Sequence, residues 1–109
     1  MINVQLNGQD NLTVTSTYGT IGTTAAAALA SVVPVSPGGA PNLRHMLEIV
    51  NPNATALLAY TLDGSTPVVN GAGATIPPQS TRLYTIAVPQ GAVNVIGNSA
   101  STLYTINVL

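Results

Sequence analysis

Ala92-Val93-Asn94-Val95-Ile96-Gly97-Asn98-Ser99-Ala100-Ser101-Thr102-Leu103-Tyr104-Thr105-Ile106-Asn107-Val108 reads as strand, turn, strand. In the second run Tyr104, Ile106 and Val108 alternate with Leu103, Thr105 and Asn107, the period-two pattern of a strand with one face toward a core. Between the runs, Gly97-Asn98-Ser99 supplies turn chemistry. Working outward, the same grammar covers everything from Leu43 onward. Five strand-like runs, 43–50, 55–62, 80–88, 92–97 and 102–108, are separated by Asn51-Pro52-Asn53, Asp63-Gly64-Ser65, Asn70-Gly71-Ala72-Gly73, Pro77-Pro78 and Pro89-Gln90-Gly91. Short strands with frequent turn signals predict an all-β, antiparallel sandwich or barrel rather than βαβ units. Asp63, Gly64, Pro67, Gly71, Gly73, Pro77 and Pro78 are expected to be fixed by backbone geometry at these turns.

The run Leu83-Tyr84-Thr85-Ile86-Ala87-Val88 echoes Leu103 to Val108, and Tyr60-Thr61-Leu62 carries the same core. The simplest reading puts the Tyr-Ile-Val faces of two strands into one core; an internal duplication or a ligand-binding tyrosine ladder is the sharper one. Upstream, residues 1–18 read as N-terminal strands or an arm, with Ile2, Val4 and Leu6 alternating against Asn3, Gln5 and Asn7. Residues 19–42, rich in Ala, Gly and Pro, read as an arm or crossover. Ala25–Ala30 admits a helical turn or two, capped by Thr23 or Thr24, or an extended apolar connection. Residues 43–109 hold the main sandwich strands, in what is one domain overall.

Charge is the second decisive feature. Of 109 residues only Asp10, Arg44, Glu48, Asp63 and Arg82 are charged, there is no Lys, and His45 is the single histidine. A soluble domain ordinarily carries about a quarter charged residues, which solvate its surface and oppose self-association. This composition suits a protein packed against copies of itself or a partner. Two arginines cannot form a phosphate-binding patch, so nucleic acid is not an expected ligand. With no Cys, a disulfide scaffold and thiolate zinc sites are excluded. The start of the chain lacks the basic and apolar regions of a signal peptide, and Ala25–Val35 is too short to cross a bilayer, so synthesis in the cytoplasm without a membrane partner is expected.

Chemistry-bearing constellations are sparse. Asp10, Glu48 and Asp63 are far apart in sequence, no nucleophile-elbow pattern occurs, and no HxH or DxDxDG spacing is present, so neither an enzyme nor a cofactor or metal site is expected. Asp63-Gly64 reads first as a hairpin-type turn; calcium held by Asp63, Asn70 and carbonyls is the alternative. His45 is placed with Leu43, Leu47 and Ile49 at the core edge, hydrogen-bonded and neutral, with a lone ligand or pH switch as the alternative. Arg44 and Glu48 fall on the opposite face as a solvated or intersubunit pair.

The succession Ile49-Val50-Asn51-Pro52-Asn53-Ala54, Tyr60 to Gly73 with its Asp63-Gly64-Ser65-Thr66-Pro67-Val68-Val69-Asn70-Gly71-Ala72-Gly73 core, Ile76-Pro77-Pro78-Gln79-Ser80 and Ala92 to Gly97 resembles small structural proteins of tailed bacteriophages, of the head-decoration or capsid-cement kind. The resemblance spans residues 43–109. It implies a non-enzymatic β-sandwich or β-tulip module, present in many copies on a virion, made in the host cytoplasm, self-associated (a trimer among the possible forms) and bound to the phage major capsid protein. The N-terminal strand residues Ile2, Val4 and Leu6 are then candidates for adding to a neighbour's sheet edge. A tail, baseplate or head-fibre component shares the same composition. The run Tyr60 to Pro67 also resembles immunoglobulin-like accessory domains of bacterial glycoside hydrolases, which implies a carbohydrate-binding or spacer module; the tyrosines, however, are expected to face the core.

Overall fold

The computed structural model describes residues 3–5, 11–32 and 43–109. It is an all-β sandwich of two four-stranded antiparallel sheets. Ten strands occur among the described residues: β1 (Asn3–Gln5), β2 (Asn11–Thr13), β3 (Thr15–Ile21), β4 (Ala26–Leu29), β5 (Leu47–Asn51), β6 (Leu58–Thr61), β7 (Ala74–Ile76), β8 (Ser80–Tyr84), β9 (Val93–Gly97) and β10 (Thr102–Val108). The first sheet has the order β3-β10-β5-β8 and the second β4-β9-β6-β7, while β1 and β2 pair with each other.

Almost every connection within the sandwich changes sheets. Of the consecutive strand pairs from β3 onward, β6 and β7 alone are bonded neighbours. Strand, turn, strand in the sequence is therefore an arch between layers more often than a hairpin; β9 and β10, read from one continuous stretch, lie in opposite sheets. The core is the space between them, filled by Ile21, Leu47, Ile49, Leu58, Tyr60, Ile76, Val93, Val95 and Ile106. Full burial of an aliphatic side chain of this size contributes roughly 1.5–3 kcal/mol. The strict alternation in β5 and β9 arises because only one face of each strand meets that core.

Three expectations need correction, and for the alanine run one of two open alternatives is decided. Residues 15–32 are not an appendage to a sandwich that begins at residue 43: β3 pairs with β10 along its full length and β4 pairs with β9, so the chain crosses between the sheets at 22–25. Residues 33–42 of the proposed crossover lie outside the described residues. The alanine run forms β4 rather than a helix, because pairing with β9 seats Ala28 and Leu29 against the core and tertiary burial outweighs alanine's helical preference. The Tyr84-Ile86-Val88 face does not exist as one surface. β8 ends at Tyr84, Ala87 adopts φ 50°, and the turn leaves Ile86 87% exposed, while Val88 still packs on the core. The strand predicted to begin at Leu43 begins at Leu47, since Arg44 turns inward and the His45 and Met46 amides donate to the Leu109 carbonyl.

Buried polar groups staple the layers. Asn51, fully buried on β5, donates through Nδ2 to the Ala56 and Ile76 carbonyls, both at 2.9 Å, and its Oδ1 accepts from the Asn53 backbone and side-chain nitrogens. Asn53 in turn exchanges two hydrogen bonds with the backbone of Leu103, each 2.8 Å. Every buried side-chain nitrogen and oxygen among the described residues has a partner. A fully satisfied network of this kind fixes register where apolar packing alone would tolerate slippage.

Candidate functional site

The outward face of the first sheet is built row by row from strand register. One row is Tyr18, Thr105, Val50 and Thr81; the next is Ser16, Asn107, Glu48 and Leu83; Thr20 and Leu103 begin a third. Tyr18 is 77% exposed, Leu83 57% and Leu103 47%. The one charge on this face, Glu48, accepts a 2.6 Å hydrogen bond from Asn107 Nδ2, and Asn107 Oδ1 accepts one from Ser16. Beside Tyr18, a shallow groove of about 390 Å³ is lined by Thr20, Pro52, Leu103, Tyr104 and Thr105. Tyr104 lies across its cross-strand neighbour Gly19, where any Cβ would meet the phenol ring.

Arg44, expected in solvent with Glu48, is instead 6% exposed. Its guanidinium donates to the carbonyls of Ala30, Pro89 and Gly91 at 2.6–2.9 Å, with no carboxylate partner among the described residues. Burial lowers its pKa below the ordinary arginine value. Gln90 completes the clamp: its carbonyl accepts from the Val32 amide, its Oε1 from the Arg44 amide, and its Nε2 donates to the Arg44 carbonyl. Val32 and Arg44 are thereby both tied to the 89–91 turn. With Arg44 inside, the described surface carries only Glu48, Asp63 and Arg82 as charged side chains.

A second depression of about 390 Å³ opens where the edges of the two sheets meet at β7 and β8, lined by Tyr60, Thr61, Leu62, Asp63, Ser65, Gly73, Ala74 and Tyr84. The Tyr60 and Tyr84 hydroxyls bridge the sheets at 2.5 Å. Burial of Tyr60, then its hydrogen bond and charge interaction with Tyr84, raise its pKa well above the ordinary tyrosine value, against a smaller lowering by Arg82. The phenol therefore stays protonated and is a poor base or nucleophile. Asp63 sits at the rim, its carboxyl pKa lowered by hydrogen bonds from the Ser65 hydroxyl and amide. This cleft offers the hydroxyls of Tyr60, Tyr84 and Ser65, with the Asp63 carboxylate at its rim.

The residues singled out from the sequence do not converge on one site. Ile2 and Leu6 lie outside the described residues, and Val4 is in β1, opposite Leu12 of β2. Asp63 closes an Asx turn onto Ser65, and Gly64 at φ 81° donates to the Ala92 carbonyl. Pro67 is buried, and the Gly71 amide donates to the Val68 carbonyl. Gly73, at φ 90°, passes so close to the Tyr60 carbonyl that no side chain fits. Pro77 and Pro78 form the β7–β8 arch with Gln79 at φ 56°. His45 is exposed, not at the core edge, because the strand that would have turned it inward starts two residues later. Of the four tyrosines, Tyr60, Tyr84 and Tyr104 face or pack on the core, but Tyr18 does not. Sequence reasoning missed Tyr18 and Arg44: Ser16, Tyr18 and Thr20 alternate with Thr15, Thr17 and Gly19, which gives no apolar contrast to set a face, and nothing in the sequence marks Arg44 as interior. Among the described residues, no three His, Asp or Glu side chains cluster to hold a metal. No protein-family model matches this chain, and no curated protein or solved structure is significantly similar to it.

Proposed function

We propose that this is a non-enzymatic assembly protein of a virion, decorating and stabilising a phage capsid through many copies of a weak contact, with a tail, baseplate or fibre position as the nearest variant. The observation that supports it is the near absence of charge from the described surface once Arg44 is buried, combined with exposed Tyr18, Leu83 and Leu103 on one sheet face. A free-living surface is kept soluble by charge; a surface of Thr, Ser, Asn and scattered apolar groups is suited to being covered. Multivalence then converts modest contacts into a durable shell. Quantitative mass spectrometry of particles from the native source tests this. Copy numbers that scale with the major capsid protein support decoration, a few to some dozens move the protein to tail or fibre, and none at all refutes the virion reading.

Tyr18 favours one second reading. An exposed aromatic beside a shallow groove on a β face is the kind of platform on which a sugar ring stacks, as in a carbohydrate-binding module. Retention on a polysaccharide column that disappears in Tyr18→Ala supports that reading; passage without retention removes it.

A further inference from the structure

The four sheet edges are not equally protected. β8 carries Arg82 on its core-side row, in register with Ile49 yet exposed, an inward-pointing charge that opposes addition of another strand. β7 is three residues long and runs directly into Pro77-Pro78. β4 is four residues long and breaks register against β9 between Ala27 and Leu29. All three are devices that blunt an edge. β3 has none of them. Its seven residues, Thr-Ser-Thr-Tyr-Gly-Thr-Ile, contain no charge and no proline, and their register against β10 is unbroken from Thr15 to Ile21. Among the described residues no strand pairs with its outer side.

We infer that β3 is the self-association edge: two copies pair their β3 strands antiparallel about a twofold axis near Tyr18, joining two four-stranded sheets into one of eight. Tyr18 is the central residue of the strand, so full overlap sets Tyr18 beside its counterpart and Ser16 beside Thr20. The exposed phenols then form a cross-strand aromatic pair, and Leu103 in the adjacent strand extends the apolar strip. The nominal net charge of −1 leaves nothing to repel a second copy. A strand of this length spans about 24 Å, a contact at the small end of specific interfaces, so association on the order of 1–100 μM is expected. The contact closes at two copies, so it does not by itself generate the trimer that the phage resemblance allows.

The pairing names the self-contact of the assembly reading and rests on it for its setting, but the two are separable in the laboratory. Light scattering of the purified chain across 1–500 μM should show a concentration-dependent dimer. Tyr18→Lys places like charges across the axis at an exposed position and should weaken the dimer by roughly 100-fold with an unchanged far-UV spectrum, whereas Leu83→Lys, on the opposite edge strand, should leave it intact. Because the chain has no cysteine, Tyr18→Cys copies should cross-link to one another on oxidation and Leu83→Cys copies should not. A monomer at 500 μM, a dimer indifferent to Tyr18→Lys, or preferential cross-linking at position 83 overturns the inference. A chain that dimerises through β3 but is absent from particles refutes the virion reading alone; one found on particles yet monomeric refutes the edge alone.

Discussion

Arg44 is the most informative place to perturb this fold. Its three carbonyl partners lie at the end of β4 and in the turn before β9, so a single guanidinium holds the second sheet to the segment entering the first. Each hydrogen bond to a charged donor contributes about 1.5–3 kcal/mol net. Taken at the lower figure, three amount to roughly 4–5 kcal/mol, from which the relieved desolvation of a buried cation must be subtracted. Arg44→Ala is therefore expected to destabilise by about 2–4 kcal/mol, which for a domain of this size lowers the melting temperature by roughly 8–16 °C. Arg44→Met separates the causes: it keeps much of the aliphatic stem but leaves the Ala30, Pro89 and Gly91 carbonyls without their donor, so it should be nearly as destabilised. Arg44→Lys, with one ammonium for three acceptors in a fixed fork, should fall between. The assay is urea denaturation followed by far-UV circular dichroism, since the chain has no Trp, with an unchanged m-value showing that the loss is in stability. If Arg44→Ala and Arg44→Met both lose less than about 1 kcal/mol, water replaces the guanidinium without cost and the clamp is not what joins these segments.

Two further outcomes follow from the buried polar groups. Asn51→Leu conserves approximate volume but strands the Ala56 and Ile76 carbonyls and both Asn53 donors, so denaturation should show a loss of about 3 kcal/mol or more; near-wild-type stability would mean the network is dispensable. Because Tyr60 has a folded pKa raised above its unfolded value of 10.0, the folded state retains a proton that the unfolded state releases, so stability is full below pH 10 and declines as pH rises beyond it. Tyr60→Phe should flatten the decline in melting temperature between pH 9.5 and 11, and an equally steep decline in the variant would assign it to other groups.

The local grammar was well represented in the residues. β10 occupies the run predicted for it, 102–108, and β9 matches 92–97 to within a residue, because alternation of apolar and polar side chains is imposed by a sheet with one buried face and is visible without knowing which strand lies alongside. Where prediction overran at 43–46, a long-range event cut the strand short, the inward turn of Arg44 to carbonyls as far as 47 residues away; at 85–88 a local turn with positive φ at Ala87 ended it, and the run predicted over 55–62 shrinks to Leu58–Thr61. The polarity of the surface was equally legible, since a count of charges needs no coordinates.

By itself, then, the sequence determined that this chain is all-β, that its turns fall where Asp-Gly, Asn-Gly and Pro-Pro occur, and that its surface is almost uncharged, all of which depend on properties of neighbouring residues. Tertiary structure alone decided that β9 and β10 part into different sheets, that one of two arginines is interior, that Tyr18 faces outward while the other tyrosines pack inward, and that three edges are blunted and one is not. Those outcomes depend on which strand meets which across tens of residues, and period-two alternation is the same whichever partner a strand finds.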